Sequence, residues 1–229
     1  MSHAISTGCN SLDRLLQGGI ARNEITLIYG EAATGKTTAA IQVAILTALG
    51  GFKVLFIDSD NSFTQQRFHQ ICGSKTRSVS ERIMLFFPET FEEQRTLVES
   101  LNNYITPSVG LVVIDSMSTL YRAAFPKADS IFNLNRDLTR QLAYLADLTL
   151  SKKIACLITS QVHASLKPSK DQIEPIARRA VLHFPGTIIR IRSSPNPRVK
   201  GFILERPMRA DAVRRCLVEI TESGLEDIS

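Results

Sequence analysis

Short hydrophobic runs alternate with amphipathic segments over most of the chain. Almost continuous apolar runs predict strands at 24–29, 53–57, 83–87, 109–114 and 154–159. Apolar residues at helical spacing predict helices at 38–49, 62–72, 90–104 and 130–150. Strands without polar alternation are typical of a parallel sheet covered by helices on both faces. The pattern therefore predicts an α/β fold.

The pattern changes after Gln161. Residues 162–175 are polar and basic and contain two prolines, which predicts a loop. Further strands are predicted at 187–192, 201–204 and 215–220, and we expect them to extend the sheet as antiparallel strands. No repeat or linker divides the sequence, so residues 1–229 are predicted to form a single domain.

Residues 30–37 match the phosphate-loop pattern G-x-x-x-x-G-K-[ST]. The match lies between a predicted strand and a predicted helix, as the motif requires. Backbone N–H groups of such a loop face nucleotide phosphates, the lysine reaches the outer phosphates, and the hydroxyl coordinates Mg²⁺. The predicted cofactors are therefore ATP and Mg²⁺. The predicted nucleotide-binding residues are Gly30, Glu31, Ala32, Ala33, Thr34, Gly35, Lys36, Thr37 and Thr38.

A second ATPase motif is predicted at the end of the apolar run 109–114, where Asp115 follows. A carboxylate at this position can hold Mg²⁺ from the side opposite Thr37. An apolar strand that ends in aspartate is common, so the interpretation depends on the phosphate loop about 80 residues upstream. The predicted metal ligands are Thr37 and Asp115.

Hydrolysis of ATP also needs a group that orients the attacking water. Asp60 follows the predicted strand 53–57, and Gln161 follows the strand 154–159. Ligands of open α/β sheets bind beyond the carboxyl ends of the strands. Asp60 and Gln161 are therefore the predicted water-positioning and phosphate-sensing residues, beside the catalytic Lys36. A helix cap for Asp60 and an ordinary loop amide for Gln161 are the alternatives.

The charge of the chain is uneven. Residues 1–150 contain 13 Lys/Arg and 14 Asp/Glu, whereas residues 152–215 contain 14 Lys/Arg and only 4 Asp/Glu, a net charge of +10. A basic segment of this kind favours a polyanionic partner such as a nucleic acid. A solvated basic surface without a partner is the alternative.

Cysteine usage and hydropathy restrict the location. The four cysteines are far apart and lack zinc-site spacing, which argues against a zinc site. Four scattered thiols are typical of a reducing compartment. The N-terminus does not have the pattern of a secretory signal. No apolar run approaches the ~20 residues that span a bilayer. We expect a cytoplasmic protein that does not insert into membranes.

Several segments together resemble the RecA/RadA recombinase family. They are Ile5-Ser-Thr-Gly-Cys-Asn-Ser-Leu-Asp-Arg-Leu-Leu-Gln-Gly-Gly-Ile20, the phosphate loop, Asp58-Ser-Asp60, Val113-Ile-Asp-Ser116, Ser160-Gln-Val162 and Ile220-Thr-Glu-Ser-Gly224. The likeness extends over essentially the whole chain. The short length, without an N-terminal helical DNA-binding domain, is similar to that of the archaeal RadB paralogues. The resemblance implies a RecA-like P-loop ATPase core.

The resemblance also implies function and partners. It implies a role in DNA repair and homologous recombination, with single-stranded or junction DNA and a RadA-type recombinase as partners and a possible homo-oligomer. In that family, the loops that here correspond to 117–129 and 162–180 face DNA. The second loop lies in the basic segment, and its candidate DNA-binding residues are Lys167, Lys170, Arg178 and Arg179.

Two departures from the family pattern concern activity. Asp60 stands where the family usually has glutamate, and Ala33 stands where glycine is frequent. The shorter carboxylate predicts weak ATP hydrolysis, because a 1 Å misplacement can cost about 100-fold in rate. A regulatory recombination protein is therefore the preferred hypothesis. A strand-exchange ATPase and a KaiC-type signalling ATPase with protein partners are the alternatives.

Overall fold

The computed structural model describes residues 4–127, 130–163, 174–207 and 214–228. The strands in these segments are β1 Ala4–Ile5, β2 Ile20–Ala21, β3 Ile25–Gly30, β4 Lys53–Asp58, β5 Ile83–Phe86, β6 Val109–Asp115, β7 Ala155–Ser160, β8 Val162–His163, β9 Glu174–Pro175, β10 Thr187–Ser193, β11 Val199–Arg206, β12 Arg215–Thr221 and β13 Gly224–Asp227. The helices are α1 Asn10–Leu15, α2 Lys36–Leu49, α3 Gln65–Cys72, α4 Thr76–Ser80, α5 Phe91–Ser100, α6 Thr119–Ala124, α7 Ile131–Lys152 and α8 Arg178–Val181.

Nine of these strands form one sheet in the order β13-β12-β11-β10-β3-β7-β6-β4-β5. The six strands from β10 to β5 run parallel, and β10 to β13 pair antiparallel. The predicted α/β fold with antiparallel C-terminal strands is therefore confirmed. The first of those strands, β10, nevertheless joins β3 in parallel, with Ile191 opposite Gly30. This pairing brings the C-terminal strands beside the phosphate loop.

Two hydrophobic layers cover the two faces of the sheet. On one face, α2 packs its buried alanines against residues such as Phe56 and Val113. On the other face, Leu138, Leu142 and Leu145 of α7 pack against the sheet. The small side chains of α2 let its backbone approach the sheet closely, which fixes the helix that carries Lys36 at its first turn. Burial on both faces explains the continuously apolar sequence of the central strands.

Some element boundaries differ from the sequence prediction. The helix predicted at 62–72 begins at Gln65, because the Thr64 side chain accepts a hydrogen bond from Arg67 N at 3.2 Å and caps it. The predicted loop 162–175 contains the paired strands β8 and β9. The loop 117–129 contains α6, and the short strand β13 was not predicted. Within the described segments, no helix is long and apolar enough to cross a membrane.

Candidate nucleotide-binding site

The phosphate loop connects β3 to α2 and depends on its two glycines. A Cβ on Gly30 would lie 2.7 Å from the carbonyl oxygen of Ile191, and a Cβ on Gly35 would lie 2.3 Å from Ile220 Cδ1. Gly35 also has a φ of 91°, which side chains disfavour. The loop is therefore held closely against β10 and β12, and its curl leaves the amino end of α2 open to an anion.

Lys36 is the first residue of α2 and is only 8% exposed. Its Nζ donates hydrogen bonds to the carbonyl oxygens of Gly30 at 3.0 Å and Glu31 at 2.6 Å. Burial lowers the pKa of Lys36, and the carboxylate of Asp115 opposes this shift. The loop therefore holds a partly desolvated ammonium group against its own backbone, as a phosphate-binding lysine requires.

Asp115 ends β6 and is 1% exposed. One carboxylate oxygen accepts a hydrogen bond from Thr159 Oγ1, and the other accepts one from Ser62 Oγ at 3.2 Å. Burial raises the pKa of Asp115, and hydrogen bonds from Thr159 and Thr37 oppose the rise. The two predicted metal ligands, Thr37 and Asp115, are therefore brought together from α2 and β6.

Asp60 and Gln161 also meet, although 101 residues separate them. Gln161 Nε2 donates a hydrogen bond to Asp60 Oδ2 at 3.3 Å. Asp60 does not cap the following helix, since Thr64 does so. The neighbouring Asp58 has a structural role, because it accepts hydrogen bonds from the backbone N–H groups of residues 62 and 63. Asp60 therefore lies at the carboxyl edge of the sheet, within reach of the same ligand space as Gln161.

The side chains present fit a magnesium-nucleotide complex. In the described part of the chain, no group of three His, Cys, Asp or Glu could hold a metal by itself. Mg²⁺ is commonly held by one or two protein oxygens together with substrate phosphates and waters. Thr37 and Asp115 supply such oxygens beside the phosphate loop. The site therefore fits a metal that arrives with a nucleotide.

The C-terminal hairpin of β12 and β13 is hydrogen-bonded to both α3 and α2. The Arg67 guanidinium donates to the carbonyl oxygens of Thr221 at 2.9 Å and Glu222 at 2.8 Å. Gln42 of α2 donates to the Leu225 carbonyl at 3.1 Å and accepts from its N–H. Sequence reasoning missed Arg67, Gln42 and Ser62, because no local pattern marks their contacts.

The chain before α8 folds back to Gln161. Val162 pairs with Pro175, and Ile176 N donates a hydrogen bond to the Gln161 carbonyl at 3.1 Å. Two residues later α8 begins with Arg178 and Arg179, which are exposed. Of the four predicted DNA-binding residues, these two are described, and Lys167 and Lys170 lie outside the described residues. The basic helix is thus tied closely to the residue that contacts Asp60.

Comparison with known proteins agrees with this geometry. The family model described as Rad51 matches residues 2–228. The chain belongs to the Rad51 family. A solved structure titled "Crystal structure of the RadB recombinase" superposes with a TM-score of 0.82 at 31% identity, covering 98% of this chain and 100% of that one. The RecA-like fold of this Rad51-family chain is therefore confirmed.

Curated relatives within the family carry the name "DNA repair and recombination protein RadB". The protein of Methanococcoides burtonii is 32% identical over 96% of each chain. The protein of Thermococcus gammatolerans is 34% identical, over 98% of this chain and 99% of its own. That of Methanoculleus marisnigri is 35% identical over 98% of both chains. The predicted resemblance to the RecA/RadA family, and within it to RadB, is confirmed.

Proposed function

We propose that this Rad51-family protein binds ATP and DNA and assists a RadA-type recombinase in DNA repair and homologous recombination. The observation that carries the proposal is the buried Lys36 ammonium, held by its own loop carbonyls beside Asp115. Relatives that align with almost the whole of this chain are named DNA repair and recombination proteins, which supports the proposed role in recombination. These names favour recombination over the signalling hypothesis.

The nucleotide is proposed to lie over residues 30–38, with its phosphates at the amino end of α2. Lys36 Nζ would hydrogen-bond the outer phosphates in place of the carbonyl oxygens of Gly30 and Glu31. The negative charge of the phosphates would offset the cost of burying the ammonium group. Thr37 and Asp115 would hold Mg²⁺, which neutralises phosphate charge when bound. Because Asp115 is almost fully buried, its carboxylate is fixed and has little freedom to lose when it binds the ion.

Hydrolysis is proposed to be weak. Asp60 and Gln161 are the candidates for orienting the attacking water, and their mutual hydrogen bond supports a shared task. Aspartate is one methylene shorter than glutamate, so its carboxylate stays nearer its own strand. The Gln161 carbonyl also accepts a hydrogen bond from Ile176 N, two residues before α8. We infer that DNA bound at Arg178 and Arg179 acts on the nucleotide through Gln161.

The test is fluorescence anisotropy of labelled single-stranded DNA, titrated with the protein at several salt concentrations, with ATP and without it. Binding that weakens linearly in log affinity against log salt is expected, by about 0.7 per phosphate contact. A dependence on ATP would further link the two sites. Absence of binding at low salt would refute the DNA-binding role and favour a signalling ATPase with a protein partner.

A further inference from the structure

The loop between β4 and α3 carries a hydroxyl group into the space between Thr37 and Asp115. Ser62 Oγ lies 3.4 Å from Thr37 Oγ1 and 3.2 Å from Asp115 Oδ2. The three oxygens come from three different elements of the fold. Neighbouring ligands of an octahedral Mg²⁺ lie about 3 Å apart, given metal–oxygen distances of about 2.0–2.1 Å. The two distances from Ser62 Oγ exceed that edge by only a few tenths of an ångström.

The position of Ser62 is fixed by its backbone. Its N–H donates to Asp58 Oδ1 at 3.1 Å, and the next N–H, that of Phe63, donates to Asp58 Oδ2 at 2.8 Å. The Phe63 ring packs edge-on against Phe56 at 5.0 Å. The backbone N–H of Ser59 is held by the Asp115 carbonyl at 2.8 Å. The loop is therefore attached at both ends, which fixes the backbone of Ser62 beside Thr37 and Asp115.

We propose that Ser62 is a third protein oxygen of the magnesium site, acting with Thr37 and Asp115. The inference rests on the proposed nucleotide function and extends it to a residue outside both sequence motifs. An uncharged hydroxyl adds an oxygen without adding charge, which suits a cation whose charge the phosphates and Asp115 already balance. Asp58, a buried carboxylate beside the site, positions the loop, because it accepts hydrogen bonds from the N–H groups of Ser62 and Phe63 and lies 3.5 Å from Ser62 Oγ.

The test compares how much Mg²⁺ increases nucleotide affinity in matched variants. A fluorescent, non-hydrolysable ATP analogue is titrated with protein at fixed free Mg²⁺ and in excess EDTA. In Ser62→Ala, the factor by which Mg²⁺ increases nucleotide affinity is expected to be smaller than in the wild type by about 10-fold or more. This is the range seen when groups that support a metal are removed. The affinity of this variant in EDTA should stay unchanged, and Ser62→Thr should restore the gain.

Ser59→Ala is the matched control, because it removes a serine hydroxyl from the same loop. That hydroxyl contacts Gln94 Oε1 at 3.0 Å and not the site, so the wild-type gain is expected. Thermal melting checks that the variants fold. A wild-type gain in Ser62→Ala, or equal weakening with Mg²⁺ and in EDTA, would overturn the inference. Failure of the wild-type protein to bind nucleotide in either condition would overturn the proposed function, and this inference with it.

Discussion

The Gln161 side-chain amide donates a hydrogen bond to the Asp60 carboxylate across the carboxyl edge of the sheet, at 3.3 Å. The pair joins the ends of β7 and β4, on either side of the strand that carries Asp115. Because the Gln161 carbonyl also holds the chain just before α8, the pair connects that basic helix to Asp60, a candidate for positioning the attacking water. A change at either residue therefore tests the proposed coupling of DNA to hydrolysis.

Lengthening the Asp60 side chain is predicted to increase ATP hydrolysis. In Asp60→Glu the carboxylate reaches further from its strand, and a gain of up to about 100-fold in kcat is expected for a correction of about 1 Å. Asp60→Asn should lower kcat, since it removes the base. Steady-state release of phosphate, with nucleotide affinity measured separately, checks both variants. A kcat that is the same in all three proteins would exclude Asp60 from the reaction.

Removal of the Lys36 ammonium is predicted to weaken ATP binding by about 10- to 100-fold, the effect of losing charged hydrogen bonds worth about 1.5–3 kcal/mol. The fold should persist, because the substitution also removes the cost of burying the ammonium group, which the lowered pKa of Lys36 reflects. Fluorescence titration of a nucleotide analogue measures the affinity of Lys36→Ala. Lys53→Ala, an exposed lysine on β4, serves as control. Full nucleotide affinity in Lys36→Ala would refute the phosphate-loop assignment.

Replacement of Ala33 by glycine is predicted to stabilise the protein by about 1 kcal/mol or less. Ala33 has a φ of 57°, and the left-handed conformation costs a side chain about 1–2 kcal/mol. Part of this stabilisation is lost, because glycine increases the conformational entropy of the unfolded chain. Chemical denaturation measures the change. Ala32→Gly, one residue earlier, should instead lower stability by about 0.5 kcal/mol, and equal effects at both positions would contradict the argument.

Charge reversal at Arg178 and Arg179 is predicted to weaken single-stranded DNA binding and to flatten its salt dependence. Each lost phosphate contact should reduce the slope of log affinity against log salt by about 0.7. The double variant Arg77→Glu, Arg82→Glu makes the same change in net charge beside the edge strand β5, and its slope should equal that of the wild type. Anisotropy at several salt concentrations separates the two outcomes. An unchanged slope at 178 and 179 would refute their assignment.

Asp227 is predicted to make the stability of the protein depend on pH. It accepts hydrogen bonds from the N–H groups of Asn10 at 3.0 Å and Ser11 at 2.7 Å, at the start of α1. Hydrogen bonds from the side chain and then the N–H of Ser11, with a smaller contribution from the N–H of Asn10, hold the pKa of Asp227 well below its ordinary value of 3.8. A carboxylate whose pKa is lower in the folded protein than in the unfolded chain stabilises the fold at pH values above its unfolded-state pKa. This contribution is lost as pH falls towards the folded-state pKa.

The matched variant is Asp227→Asn, which keeps the shape and removes the charge. Its melting temperature should lie below that of the wild type at pH 7, and the gap should narrow as pH falls below about 4, towards the lowered pKa of the folded state. Thermal melting across that range measures the gap. A gap that stays constant with pH would show that the charge of Asp227 contributes nothing to stability.

Local patterns were sufficient to predict much of the fold. The parallel core follows from continuously apolar runs, and the phosphate loop is contiguous in sequence, so both were predictable without coordinates. Boundaries were less accurate where a cap decides them, as at Thr64, which shortens the predicted helix 62–72. The strand β13 was missed because four residues carry too little periodicity. It forms by pairing with β12.

The sequence by itself determined the phosphate loop, the carboxylate of Asp115 and the order of strands and helices, because each depends on neighbours in the chain. Only the tertiary structure decided which distant groups meet. It brings Gln161 to Asp60 and sets Ser62 between Thr37 and Asp115. These contacts depend on how parallel strands align at one edge of the sheet, and spacing along the chain does not encode that alignment.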